Sequence, residues 1–153
     1  MRSSGLAGNV EATDTRNLRV VPYEGTTKLT NAEITGLASG SRSASTNSSD
    51  LTNNGWRGGI FTIKATAVGG GGDTIQLRVQ GKDGLSGDYY DILSDGTFSS
   101  TSTRTVVVYP SADDLDGQFH DKNDVPLPRT FRVRVVHSSG SSFTYSVGVT
   151  LIV

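Results

Sequence analysis

"RTFRVRVVHSSGSSFTYSVGVTLIV", residues 129–153, alternates apolar and polar side chains on both sides of a Ser/Gly break. Phe131, Val133 and Val135 fall on one face of the first half, with Arg132 and Arg134 on the other. In the second half Phe143, Tyr145, Val147, Val149, Leu151 and Val153 alternate with Thr144, Ser146, Gly148 and Thr150. A repeat of two is the side-chain period of a strand, and one wet face per strand is antiparallel-sheet behaviour. A strand as apolar as 143–153 would invite aggregation at a sheet edge, so it is expected inside its sheet or under another chain.

The same period runs back to Trp56. In "IFTIKATAV" (60–68), Phe61, Ile63, Ala65 and Ala67 oppose Thr62, Lys64 and Thr66. In "DTIQLRVQG" (73–81), Ile75, Leu77 and Val79 oppose Gln76, Arg78 and Gln80. "YYDIL" (89–93) and "TSTRTVVVYP" (101–110) complete the set. Between them lie turn signals: "GGGG" at 69–72, "KDGLSGD" at 82–88, and "DG" at 95–96. Several short strands separated by turns, with no helical period, predict an all-β fold. It is an antiparallel β-sandwich of jelly-roll or immunoglobulin-like type over 42–153.

Residues 1–41 read differently, as an extended and mostly irregular N-terminal arm. "NLRVVPYE" (17–24) is expected as one strand ended by Pro22. "TNAEITGLA" (30–38) is expected as a helical turn capped by Thr30 or Asn31 and limited by Gly36. "SGSRSASTNSSD" (39–50) holds almost nothing to bury. Two readings stand: a partly disordered tail, or an arm that folds as it binds a neighbour. The apolar islands Leu18, Val20, Val21, Tyr23 and Ile34, Leu37 favour the second.

Composition narrows the function classes. The chain has 153 residues, one domain's worth, and a formal net charge of −1 with scattered cations. Nucleic-acid binding would need a basic stripe, so no such partner is expected. With no cysteine, disulfides and thiolate chemistry are excluded. The first residues lack the apolar core of a secretory signal, and no window approaches a membrane-spanning length, so no membrane association is expected.

The motifs that could carry chemistry fall short. "DDLDG" (113–117) belongs to an acidic cluster with Asp121 and Asp124. In calcium-loop register, with Gly117 sixth, the first position is Ala112 and the twelfth is Asn123, so both ends fail. His120 and His137 neighbour no nucleophile in sequence, and no Ser sits in a G-x-S-x-G elbow. "VGGGGD" lacks the Lys-Ser/Thr of a phosphate loop. Asp83, Asp88 and Asp95 sit in Gly-rich turns, where Asp caps its own backbone. No catalytic residue, metal or cofactor is expected. Tyr89 and Tyr90 point to opposite faces of one strand, one expected in the core and one exposed. Trp56 is expected to plug one end of the sandwich. With the loop-tip Leu85, the exposed Tyr90 and the arm's apolar residues are the candidate partner or oligomer contacts.

Taken in order, four segments carry a family pattern: Trp56-Arg57-Gly58, "LRVQGKDGLSGDY" from Leu77 to Tyr89, Leu127-Pro128-Arg129 with Arg132-Val133, and "SFTYSVG" from Ser142 to Gly148. Over about 50–153 the chain resembles a small structural protein recurrent in tailed bacteriophages. That resemblance implies a virion component, and first a head decoration (cement) protein assembled in the host cytoplasm. It implies homo-oligomers, trimers favoured, seated on the major capsid protein or other virion proteins, with N-terminal arms lacing across neighbours. The long Ser-rich connection at 39–50 departs from the pattern. The alternatives are a tail- or fibre-associated virion protein, or a carbohydrate-binding β-sandwich module using Tyr90.

Overall fold

The computed structural model describes residues 23–24, 27–112, 117 and 119–153. A two-residue hairpin, β1 (Tyr23–Glu24) and β2 (Thr27–Lys28), precedes the main body. Then come β3 (Ala32–Arg42), β4 (Thr46–Asn47), β5 (Leu51–Thr52), β6 (Gly58–Ala67), β7 (Ile75–Lys82) and β8 (Tyr89–Ser94). β9 (Ser102–Val108), β10 (Asp121–Asn123), β11 (Thr130–His137) and β12 (Phe143–Ile152) complete the chain. One sheet has the order β10-β9-β6-β12-β3 and the other β4-β11-β7-β8, with β5 also pairing β11. Every pairing is antiparallel except β9 with β10.

From β3 to β12 the chain changes sheets at six of the nine steps. It stays within one sheet only from β4 to β5, β7 to β8 and β9 to β10. β3-β12-β6-β9 therefore faces β4/β5-β11-β7-β8. That winding is a jelly roll, which resolves the choice the sequence left open. The alternating residues face inward as their period requires. Phe61, Ile63, Ile75, Leu77, Val79, Phe131, Val133, Val135, Phe143, Tyr145 and Leu151 share one buried core. The Phe61 and Phe131 rings meet edge to face, 6.1 Å apart, across the two sheets. β12 lies between β6 and β3, as its apolar character demanded.

Three expectations are corrected. Residues 32–42 form an eleven-residue strand, not a helical turn in an arm, so the boundary at 41/42 cuts β3. Pairing with β12 overrides the weak local helix signal, and Leu37 is buried beneath the sheet. The sandwich reaches further still: Leu29 is buried, Trp56 Nε1 donates to Thr30 O at 2.8 Å, and the Val153 N–H reaches Asn31 Oδ1 at 3.2 Å. The Ser-rich 39–50 stretch is also structural. Ser48 N donates to Val133 O (2.9 Å), while Val133 N donates to Ser48 Oγ (3.1 Å), so a serine side chain completes the sheet edge. Finally, Asp121 of the acidic cluster begins β10, where no strand was expected, and β10 extends the first sheet in parallel with β9.

Candidate functional site

The β7–β8 hairpin ends in Asp83-Gly84-Leu85-Ser86-Gly87-Asp88, and hydrogen bonds hold this loop firmly. The Asp83 carboxylate accepts from Ser86 Oγ (2.7 Å) and from the backbone N–H groups of Ser86 (3.1 Å) and Leu85 (3.2 Å). These donors, Ser86 Oγ first, hold the Asp83 carboxyl below the usual carboxylate range. Asp83 N donates to Asp88 O, and Gly87 N to Asp83 O. Gly87 takes φ +78°, which a residue with a side chain adopts only at a cost. Leu85, at the tip, is 99% exposed.

Beside this loop lies a groove of about 360 Å³ between β8 and the segment leading to β11. Tyr90, Ile92, Val125, Pro126 and Pro128 form its mostly apolar wall. The two prolines carry no N–H, so they present hydrocarbon where other residues would present a donor. Asn123 Nδ2 donates to Ile92 O and so ties β10 to the edge of β8. Ile92 and Val125 rest against the core from one side and line the groove from the other. Tyr90 is 50% exposed; its ring covers Gly81, where any Cβ would stand 2.5 Å from the ring.

The outer face of the same sheet is polar and interlocked. The Arg132 guanidinium stacks on the Tyr89 ring, 3.3 Å from its centroid, and its Nε donates to Gln80 Oε1 at 2.8 Å. Gln80 Nε2 donates to Asp91 Oδ1 (2.7 Å), and Arg78 Nη1 to Asp91 Oδ2 (2.8 Å). Asp50 accepts from Lys82 Nζ at 2.7 Å and from the Tyr89 hydroxyl. Those bonds, Lys82 first, lower the Asp50 pKa, and Asp50 in turn raises that of Lys82. Tyr89 is therefore half-buried under Arg132 on the outer face, and the expectation that one of the two tyrosines enters the core fails. The bulge between Val79 and Gln80 on β7 and their partners on β8 shifts the register at this end of the hairpin.

The sequence-derived contact residues are dispersed. Leu18, Val20 and Val21 lie outside the described residues, and of Tyr23 only the backbone is placed, in β1. Leu37 and Ile34 belong to β3: Leu37 is buried in the core, and Ile34 packs against it beside a shallow hollow over Gly148. They serve the sandwich and are not free arm contacts. Leu85 and Tyr90 share one hairpin, Leu85 on the β7–β8 loop and Tyr90 in β8. Ile92, Val125, Pro126 and Pro128 escaped the sequence reading, although "DVPLPR" signals an extended apolar segment.

Of the acidic cluster, Asp113, Asp114 and Asp116 lie outside the described residues. Asp121 Oδ1 accepts the Lys122 N–H (2.8 Å), and Asp124 accepts that of Ser111. The two histidines are apart: His120 Nδ1 accepts from Thr105 N (3.0 Å), whereas His137 Nε2 lies 3.1 Å from the Tyr145 hydroxyl. Among the described residues, no group of three or more acidic or His side chains could hold a metal ion, and no helix is long and apolar enough to cross a membrane.

No family model matches the chain, and no curated protein matches it. Among solved structures, a chain in the structure of infectious bursal disease virus, Gx strain, is similar over 88% of this chain and 36% of its own, at 10% identity and a TM-score of 0.42. This protein thus spans about a third of that chain's length. A likeness of that depth lends no weight to either fold or function.

Proposed function

We propose that this chain is a structural subunit of a virion, and more narrowly a decoration protein on the head exterior of a tailed bacteriophage. The observation that carries the reading is a contact surface built on a rigid jelly roll: the fixed, fully exposed Leu85 beside an apolar groove rimmed by Tyr90. Such a surface binds another macromolecule rather than transforming a small one, and on this reading the chain is not an enzyme. The ordered motifs from Trp56 to Gly148 support the narrower statement through their resemblance to the phage proteins. Jelly rolls host capsid and lectin domains alike, so the fold agrees without deciding. In this function the residues ahead of β1 anchor the subunit to the major capsid protein or another virion protein, and copies associate around a symmetry axis, trimers favoured.

The test is occupancy on purified particles. A variant lacking residues 1–22 keeps Leu29, Thr30 and Asn31, which join the sandwich, and so should fold yet fail to load. Full occupancy by the truncated chain would remove the arm from the mechanism. Density located on the tail in a reconstruction of the native particle would move the subunit from the head. A second reading, glycan binding, is favoured by the half-exposed Tyr90 ring along the groove; saturable glycan binding lost in Tyr90→Ala would establish it.

A further inference from the structure

We infer that the groove formed by Tyr90, Ile92, Val125, Pro126 and Pro128 receives Leu85 of a second copy of this chain. The inference rests on the reading of this end of the molecule as a contact surface, and it names the partner.

Leu85 and Tyr90 are the only two large apolar side chains among the described residues that stand strongly exposed, and one hairpin carries both. Isolated exposed apolar residues are common, but this one is held on a loop with six internal hydrogen bonds around Asp83, Ser86 and Gly87. A preorganised knob loses little entropy on insertion. The groove, about 360 Å³ and lined mainly by apolar atoms, has room for a leucine side chain.

Charge permits the contact, because Asp91, which also lines the groove, already has its carboxylate engaged by Arg78 and Gln80. Lys82 is engaged by Asp50, so the loop around the knob exposes the carboxylates of Asp83 and Asp88. Next to the groove, Arg129 is exposed, and its guanidinium has no side-chain partner among the described residues. A second copy that seats Leu85 beside Pro128 brings its acidic loop toward that Arg129. Because every copy carries one knob and one groove, each can give and receive, either reciprocally in a two-fold pair or head to tail around a ring. Each contact is small, and many together, on a repeating surface, bind by avidity.

The cysteine-free chain permits a direct test. Leu85→Cys and a mass-tagged Pro126→Cys are mixed under mild oxidation, beside a control mixture of Leu85→Cys with Ser139→Cys. Ser139 is exposed and follows β11, at the opposite end of that strand from Pro126. The expected result is a mixed disulfide between positions 85 and 126 that forms well ahead of the control pair. In sedimentation velocity the wild-type chain should self-associate with concentration, and Leu85→Asp should weaken this at least about tenfold with unchanged thermal stability.

Equal cross-linking in both mixtures overturns the inference. So does a wild type that stays monomeric up to about 1 mM, or a Leu85→Asp variant that associates as the wild type does. If the wild type is monomeric while loss of residues 1–22 still empties the particles, the virion reading survives and this one falls. If Leu85→Asp abolishes self-association and no particle takes up the wild type, the copy contact stands and the virion reading falls.

Discussion

Arg104 grips the Asp95 carboxylate through Nε and Nη2, each at 2.7 Å, and joins the two sheets at one end of the jelly roll. Arg104 belongs to β9 in the first sheet, whereas Asp95 directly follows β8 in the second. The Asp95 side chain is fully buried and also accepts the Gly96 N–H. Removing one partner of a buried pair strands the other's charge, which typically costs ~3–5 kcal/mol. Arg104 keeps 21% of its side chain in solvent, so Asp95→Ala should cost less than that, ~1–3 kcal/mol, and Arg104→Met added to it should recover part of the loss. Urea denaturation measures both. A single variant as stable as the wild type would show that the pair contributes nothing.

Two glycines of the phage-like motifs should respond oppositely to alanine. A Cβ on Gly58 would stand 2.3 Å from Val108 O and 2.8 Å from Tyr109 Cα, both backbone atoms that cannot swing aside. Gly58→Ala should therefore cost ~1–3 kcal/mol through overpacking. At Gly148, on the outer face of β12, nothing lies within 4 Å of the added carbon. Gly148→Ala should be neutral or stabilising by about 0.5–1 kcal/mol, since alanine loses less backbone freedom in a strand. Thermal melts of the two variants decide, and equal shifts would contradict the steric account.

His137 should make stability pH-dependent. Burial beside Tyr145 and Phe143 pushes its pKa below the usual 6.5, with the Arg42 charge adding to this and the Ser141 backbone opposing it. The folded state thus prefers neutral imidazole, while the unfolded chain takes up a proton near 6.5. The stability it contributes is full above pH 6.5 and is lost as the pH falls through the lowered value. The carboxyls of Asp50, Asp73 and Asp83, also lowered from 3.8, add their losses only at more acidic pH. Urea midpoints should fall between pH 7 and 5 in the wild type and stay flatter in His137→Gln. Parallel pH profiles would assign the titration elsewhere.

The sandwich was legible because its strands are half-wet: Arg132 and Arg134 beside Phe131 and Val133 fix both the period and the buried face. What escaped depends on partners distant in sequence. β3 is a strand because β12 lies alongside it, and Ser48 completes a sheet edge because Val133 arrives there from 85 residues away. Asp95 looked like a turn cap, which it is toward Gly96, but its burial under Arg104 is a tertiary event. At the candidate site, Leu85 was legible as a loop tip flanked by turn residues. The groove it adjoins was not, because β8 and the 123–128 segment meet only once the second sheet has closed.

The position of the N-terminal boundary makes the last prediction. An arm ending at residue 41 would be dispensable for folding, but the structure places β3 in the first sheet, with Leu37 in the core. Removing residues 1–41 would strip β3 from β12 and leave that apolar strand at an open edge, a template for pairing with other chains. Deleting residues 1–22 spares Leu29, the Thr30 carbonyl that Trp56 uses, and β3 itself. The shorter deletion should therefore remain folded, with a melting temperature close to the wild type. The longer one should aggregate or bind a hydrophobic dye, by size-exclusion chromatography and fluorescence. A well-behaved 42–153 fragment would mean that β3 adds little to the sandwich, and that its long pairing with β12 serves assembly instead.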